Sequence, residues 1–124
     1  MNQPSRALWQ ATPVLACRDL AETLAWYRDV LGFDAWWMSG EPATDAGVRR
    51  NGASLNFMSD VDLAGRVGGS EVMVFVSGVD DLYAEHRAKG APIASPITDE
   101  PWGLREYTVS DPNGYLLRFA EGRG

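Results

Sequence analysis

The feature that most constrains this chain is a repeated order of helix cap, helix stop and β-rich run. Asp19 followed by Glu22 has the spacing of a capped helix start. Leu20, Leu24, Tyr27 and Leu31 then recur at helical intervals, and Gly32 supplies the stop. Asp80 or Asp81 opens a second helix that runs to about Lys89 and stops at Gly90. The stopping glycines lie 58 residues apart, and Asp19 and Asp80 lie 61 apart. β-rich runs surround each helix in the same order: residues 9–16, 33–38, 47–50 and 53–58, then 71–77, 92–97, 104–110 and 115–120.

The chain therefore reads as α+β, two strand–helix–strand–strand–strand copies in one domain over residues 1–124. The copies cover about 9–58 and 70–121, and the polar, glycine-rich residues 59–69 link them. Each half forms a curved sheet with a helix on one face, and the two open faces are expected to close around a cavity. Residues 1–8 read as a frayed tail. Pro13 cannot donate to a ladder, so it marks an edge, a bulge or a chain crossing.

The sharpest local signal is Asp111-Pro112-Asn113-Gly114, a turn between two alternating runs. Tyr115, Leu117 and Phe119 share one face of the second run, suited to packing on a helix. Leu116, Arg118 and Ala120 share the other, which meets water or lines a cavity. Pro101-Trp102-Gly103 precedes the hairpin, and its indole suits either a ligand platform or a structural plug.

The composition, 45% hydrophobic and 23% charged, is that of a soluble globular protein. A net charge of −6 argues against nucleic acid and accommodates a cationic small molecule. No apolar run approaches the ~20 residues of a membrane helix, and the start lacks a signal-peptide pattern, so a cytoplasmic address is expected. The single Cys17 excludes an intrachain disulfide and a cysteine-based zinc site, and reads as a small buried hydrophobe. The single His86, four residues from Leu82, reads as a helix histidine at the edge of the core face. No nucleophile elbow or phosphate loop is present, and Tyr107 and Tyr115 show no base partner.

Five tryptophans then become the main functional clue. Trp36 and Trp37 are adjacent on a strand and should point to opposite faces, one to the core and one to a cavity or interface. Flat rings stack on planar or cationic ligands with little loss of entropy.

Pro13-Val14-Leu15, Arg18-Asp19-Leu20, Leu31-Gly32-Phe33, and Pro101-Trp102-Gly103-x-Arg105-Glu106 followed by Asp111-Pro112-x-Gly114 carry a family resemblance. They closely resemble the bleomycin-resistance branch of the glyoxalase/bleomycin resistance protein/dioxygenase (vicinal oxygen chelate) superfamily. The resemblance runs from about Thr12 to Glu121 and implies the same paired βαβββ architecture. It also implies a homodimer that exchanges N-terminal strands beside Pro13, with an aromatic-lined groove between subunits that binds and sequesters a drug. Phe33 and Trp37 (or its neighbour Trp36) and Trp102 match the groove, with Asn56 and Arg118 deeper and Glu106 placed to neutralise Arg118.

The superfamily's enzymes hold a divalent metal at places that fall here on Thr12, Asn56, Met73 or Val74, and Arg118. These are weak, soft or positively charged groups, so a metal-free protein without cofactor is expected. A lyase, isomerase or transferase using Glu106, Tyr107 or Arg118 is the alternative.

Overall fold

The computed structural model describes residues 5–123, so residues 1–4 of the expected tail and Gly124 lie outside the described residues. The first half contains β1 (Val14–Cys17), α1 (Leu20–Trp26), β2 (Asp34–Ser39), β3 (Asp45–Arg50) and β4 (Ala53–Ser59). The second contains β5 (Glu71–Phe75), α3 (Val79–Ala88), β6 (Ile93–Asp99), β7 (Leu104–Ser110) and β8 (Leu116–Gly122). Two four-stranded mixed sheets result, in orders β1-β4-β3-β2 and β5-β8-β7-β6. This is the expected α+β arrangement of two βαβββ copies.

Asp19 does cap α1, accepting the Glu22 N–H at 3.0 Å. The helix widens to a π-helical turn over Tyr27–Leu31 and ends at Gly32, whose φ of 75° suits a residue without Cβ. The second helix departs from expectation. Its cap is Gly78, and Asp80 and Asp81 sit inside the first turn. Glu121 reaches over from β8 instead, accepting the N–H groups of Gly78 at 3.0 Å and Val79 at 3.2 Å. A carboxylate distant in sequence thus satisfies free helix donors that a local side chain meets in the first half.

Two further boundaries differ. Strand β1 begins after Pro13, whose carbonyl still accepts the Asn56 N–H at 3.0 Å. The expected linker contains a short helix, α2 (Val61–Ala64), capped by Asp60.

Register makes the repeat concrete. Asn56 lies between Val14 and Gly47, and Arg118 lies between Met73 and Thr108. Leu55 and Phe57 therefore correspond to Leu117 and Phe119, and all four are buried. One apolar cluster unites the helix-backed faces of both halves, from Tyr27, Leu31 and Phe57 to Tyr107, Val109 and Phe119. A Tyr27–Asp111 hydrogen bond of 2.7 Å and the Arg50–Glu85 ion pair also join the halves.

The expectation that the open faces close on each other fails within one chain. Val14 on the first face is 61% exposed, and Met73 and Phe75 on the second are 40% and 68% exposed. Apolar surface is worth most where both sheets can share it with their helices, so the halves join on that side.

Candidate ligand-binding site

The first open face is organised by a row across three strand junctions: Val14, Asn56, Gly47 and Trp37. The indole of Trp37 lies against the backbone of Gly47. A Cβ built there would collide with Trp37 Nε1 and fall 2.6 Å from Cδ1. Gly47 is thus the residue that lets the ring lie flat.

Pairing of β2 slips between Ala35 and Trp37, so strict alternation of the two indoles is lost. Neither Trp36 nor Trp37 enters the core, against the expectation for one of them, because the bulge leaves both on the outer part of an edge strand. Trp36 is half exposed, with the Arg49 guanidinium 4.6 Å from its ring centre.

The second open face carries the corresponding row Met73, Arg118 and Thr108. This fixes Met73 rather than Val74 as the residue beside Arg118. Arg118 donates to Glu71 at 2.7 Å, and its Nε lies 3.7 Å from Glu106 Oε1. The expected Glu106–Arg118 neighbourhood is therefore present, with Glu71 as a second carboxylate. Glu106 is only 7% exposed, and its Oε2 has no hydrogen-bond partner among the described residues.

The named residues do not form one cluster in a single chain. Trp37 and Asn56 share the first face, and Glu106 and Arg118 share the second. Phe33 is buried in the core with its ring edge-on to Tyr27. Trp102 stands in the turn before β7, 60% exposed.

His86 and Tyr107 depart from expectation. His86 is fully buried rather than at an edge, and its Nδ1 lies 2.8 Å from the Tyr107 hydroxyl. Tyr107 therefore does have a nitrogen base beside it. Burial drives the His86 pKa down to about 4 and the Tyr107 phenol well above its usual value. A cavity of about 700 Å³ lies where residues 50–55 face β5, with Phe33, His86 and Phe119 in its wall. Tyr115 supplies structure instead, its hydroxyl accepting the Ala16 N–H at 2.8 Å.

Comparison with known proteins places this geometry. Residues 9–119 match the family model described as the Glyoxalase/Bleomycin resistance protein/Dioxygenase superfamily. The chain belongs to this superfamily. TioX from Micromonospora sp. ML1 is similar at 29% identity and a TM-score of 0.78, over 92% of this chain and 99% of that one. A bleomycin-binding protein from bleomycin-producing Streptomyces verticillus, solved with copper(II)-bleomycin, is 25% identical. Its TM-score is 0.80, over 94% of this chain and 98% of that one. The bleomycin resistance determinant encoded on transposon Tn5 shares the fold, with 22% identity, a TM-score of 0.81 and coverage of 94% and 100%. No curated protein matches the chain by sequence.

The divalent metal held by the superfamily's enzymes does not fit the residues present. The β1 residue opposite Asn56 is Val14, and Thr12 lies farther out, its hydroxyl 3.2 Å from that of Ser54. The remaining positions are Asn56, Met73 and Arg118, the last with a fixed positive charge held by carboxylates. Among the described residues, no group of three His, Cys, Asp or Glu side chains could hold a metal ion. No described helix is long and apolar enough to cross a membrane.

Proposed function

We propose that this is a metal-free small-molecule binding protein of the bleomycin-resistance type, one that sequesters a planar or cationic compound. In this reading it works as a homodimer. The first open face of one copy meets the second open face of another, with strand exchange near Pro13 and the ligand held between them.

The observation that carries the reading is the pair of uncovered sheet faces. Each has a polar side chain, Asn56 or Arg118, at its middle, with Val14 and Trp37 or Met73 and Phe75 around it. Exposed apolar side chains so grouped favour an interface or ligand groove over open water. On the second face, two carboxylates attend one guanidinium, which favours a cationic guest and leaves Arg118 less suited to an anion. Similarity to a bleomycin-binding protein over nearly the whole chain supports the same conclusion. Trp36, Trp37 and Trp102 are the rings that would report or make the contact, while Phe33 packs edge-on to Tyr27 in the core.

Tryptophan fluorescence titrated with metal-free and copper(II)-bleomycin tests the ligand, and sedimentation tests the dimer. Saturable quenching at about tens of micromolar or below is expected. No change at that level removes bleomycin as the guest, and a monomer at all concentrations removes the shared groove. The alternative, a lyase, isomerase or transferase, draws on the unpaired Glu106 Oε2 as a base. Turnover abolished by Glu106→Gln would establish it.

A further inference from the structure

The two ends of the repeat are finished differently, and the difference leaves the cavity described above. The β7–β8 turn folds back onto the first half through three contacts. Tyr115 Oη accepts the Ala16 N–H at 2.8 Å, Asn113 Oδ1 accepts the Arg18 N–H at 3.0 Å, and Asp111 accepts the Tyr27 hydroxyl at 2.7 Å. Strand register and the helix caps make Ala53 the counterpart of Tyr115, Phe75 of Ala16, Ser77 of Arg18 and His86 of Tyr27. Between the matching pairs Arg49–Ser54 and Ser110–Leu116, the first half has four residues where the second has five, and Ala53 has no ring to send across.

All three counterparts lack the partner found at the other end. The Ser70 carbonyl and the Val76 N–H bond to β8, so alternation turns the Phe75 N–H toward the free edge, and Ser77 follows in the bend that matches Arg18. Neither donates to a side chain among the described residues, and His86 Nε2 has no hydrogen-bond partner there. The Leu31 carbonyl accepts from Arg50 at 2.9 Å and also lies near the His86 ring, where it favours the protonated form against the larger effect of burial.

Tyr107 Oη lies 2.8 Å from His86 Nδ1, and a hydroxyl that donates there leaves the ring hydrogen on Nε2. Burial keeps that imidazole neutral, with a pKa of about 4. The Phe75 and Ser77 N–H groups are donors, and in that tautomer His86 Nε2 is a third. The cavity beside them, about 700 Å³, has Leu55, Val74, Leu82 and Phe119 in its wall and lies within the range of small-molecule sites.

We propose that this cavity is a second small-molecule site, for an aryl ring carrying an oxygen acceptor, phenols being the simplest class. The phenol of Tyr115, seated at the opposite end of the same molecule, is its template. Trp37 and Arg118 lie outside this site, while Gln10, Ala11 and Pro13, of the segment proposed above to be exchanged between copies, also line it.

The probe is p-cresol, the side chain of tyrosine, added to the full chain and followed by amide chemical shifts. Saturable shifts at Phe75 and Ser77, with the His86 ring, are expected at low-millimolar concentration. Ala53→Tyr should weaken p-cresol binding at least tenfold by supplying the ring in place. Shifts confined to the Trp37 or Arg118 faces, or none, overturn the proposal, as does an Ala53→Tyr chain that binds p-cresol as wild type does. If that variant cannot fold, the wild-type shift map alone decides. A rival occupant is the exposed Leu8 or Trp9 of a second copy. Dimers lost on both Trp9→Ala and Ala53→Tyr, with no p-cresol shifts, would assign the cavity to that segment and overturn the small-molecule site.

Discussion

Tyr27→Phe isolates the clasp between the two halves. Tyr27 is fully buried, and its hydroxyl donates to Asp111 Oδ2 at 2.7 Å. The other carboxylate oxygen accepts the Asn113 N–H at 2.8 Å and the Tyr115 N–H at 2.9 Å. Phenylalanine keeps the ring and its packing on Phe33 and Phe57, and removes only the donor. A hydrogen bond to a charged group contributes about 1.5–3 kcal/mol, and the abandoned acceptor stays buried. The expected loss is about 2 kcal/mol at neutral pH, or roughly 6–10 °C in Tm for a domain of this size.

The pH dependence gives a sharper test. Burial raises the Asp111 carboxyl above its usual range, and the Tyr27 hydrogen bond works against that rise. The stability linked to a protonated Asp111 is fully present below the ordinary carboxylate pKa and is lost as pH rises through the folded value. Removing the donor raises the folded value further. The deficit of the variant should therefore be largest near neutrality and should shrink as the carboxyl protonates in acid. Urea unfolding at about pH 7 and about pH 4.5 measures both deficits. Equal deficits, or a loss below about 0.5 kcal/mol at neutral pH, would refute the assignment.

Other substitutions probe the site and its frame. Gly47→Ala should drive Trp37 off the first face, shifting its emission and weakening ligand binding about fivefold, with at most about 1–3 kcal/mol lost in urea unfolding. Trp102→Ala should weaken binding by a similar factor with under about 0.5 kcal/mol of destabilisation, since its ring is exposed; a loss of several kcal/mol would show it packed. Glu121→Ala should lower stability by about 0.5–2 kcal/mol and increase amide exchange at the start of α3, because it removes the cap on Gly78 and Val79.

Local chemistry was legible wherever the deciding neighbours lie within a few residues. The Asp19 cap, the Gly32 stop, the turn at Asp111 and the buried face of Tyr115, Leu117 and Phe119 all follow from backbone geometry and alternation. Gly78 was missed because its helix is capped by Glu121, from the last strand. The positions of Trp36 and Trp37 were missed because a register slip changes which way a strand residue points. Spacing puts His86 at an edge because nothing near it in the chain announces the Tyr107 hydroxyl.

Side-chain spacing along the chain specifies the repeat, and with it two amphipathic half-sheets that each need a helix. Long-range packing selected which faces are shared, set Trp37 on Gly47, and brought both Glu71 and Glu106 to Arg118. It likewise decided that Ala53 leaves unfilled what Tyr115 fills at the other end. Those outcomes depend on distances between residues far apart in the chain, which packing sets and spacing along one strand or helix does not encode.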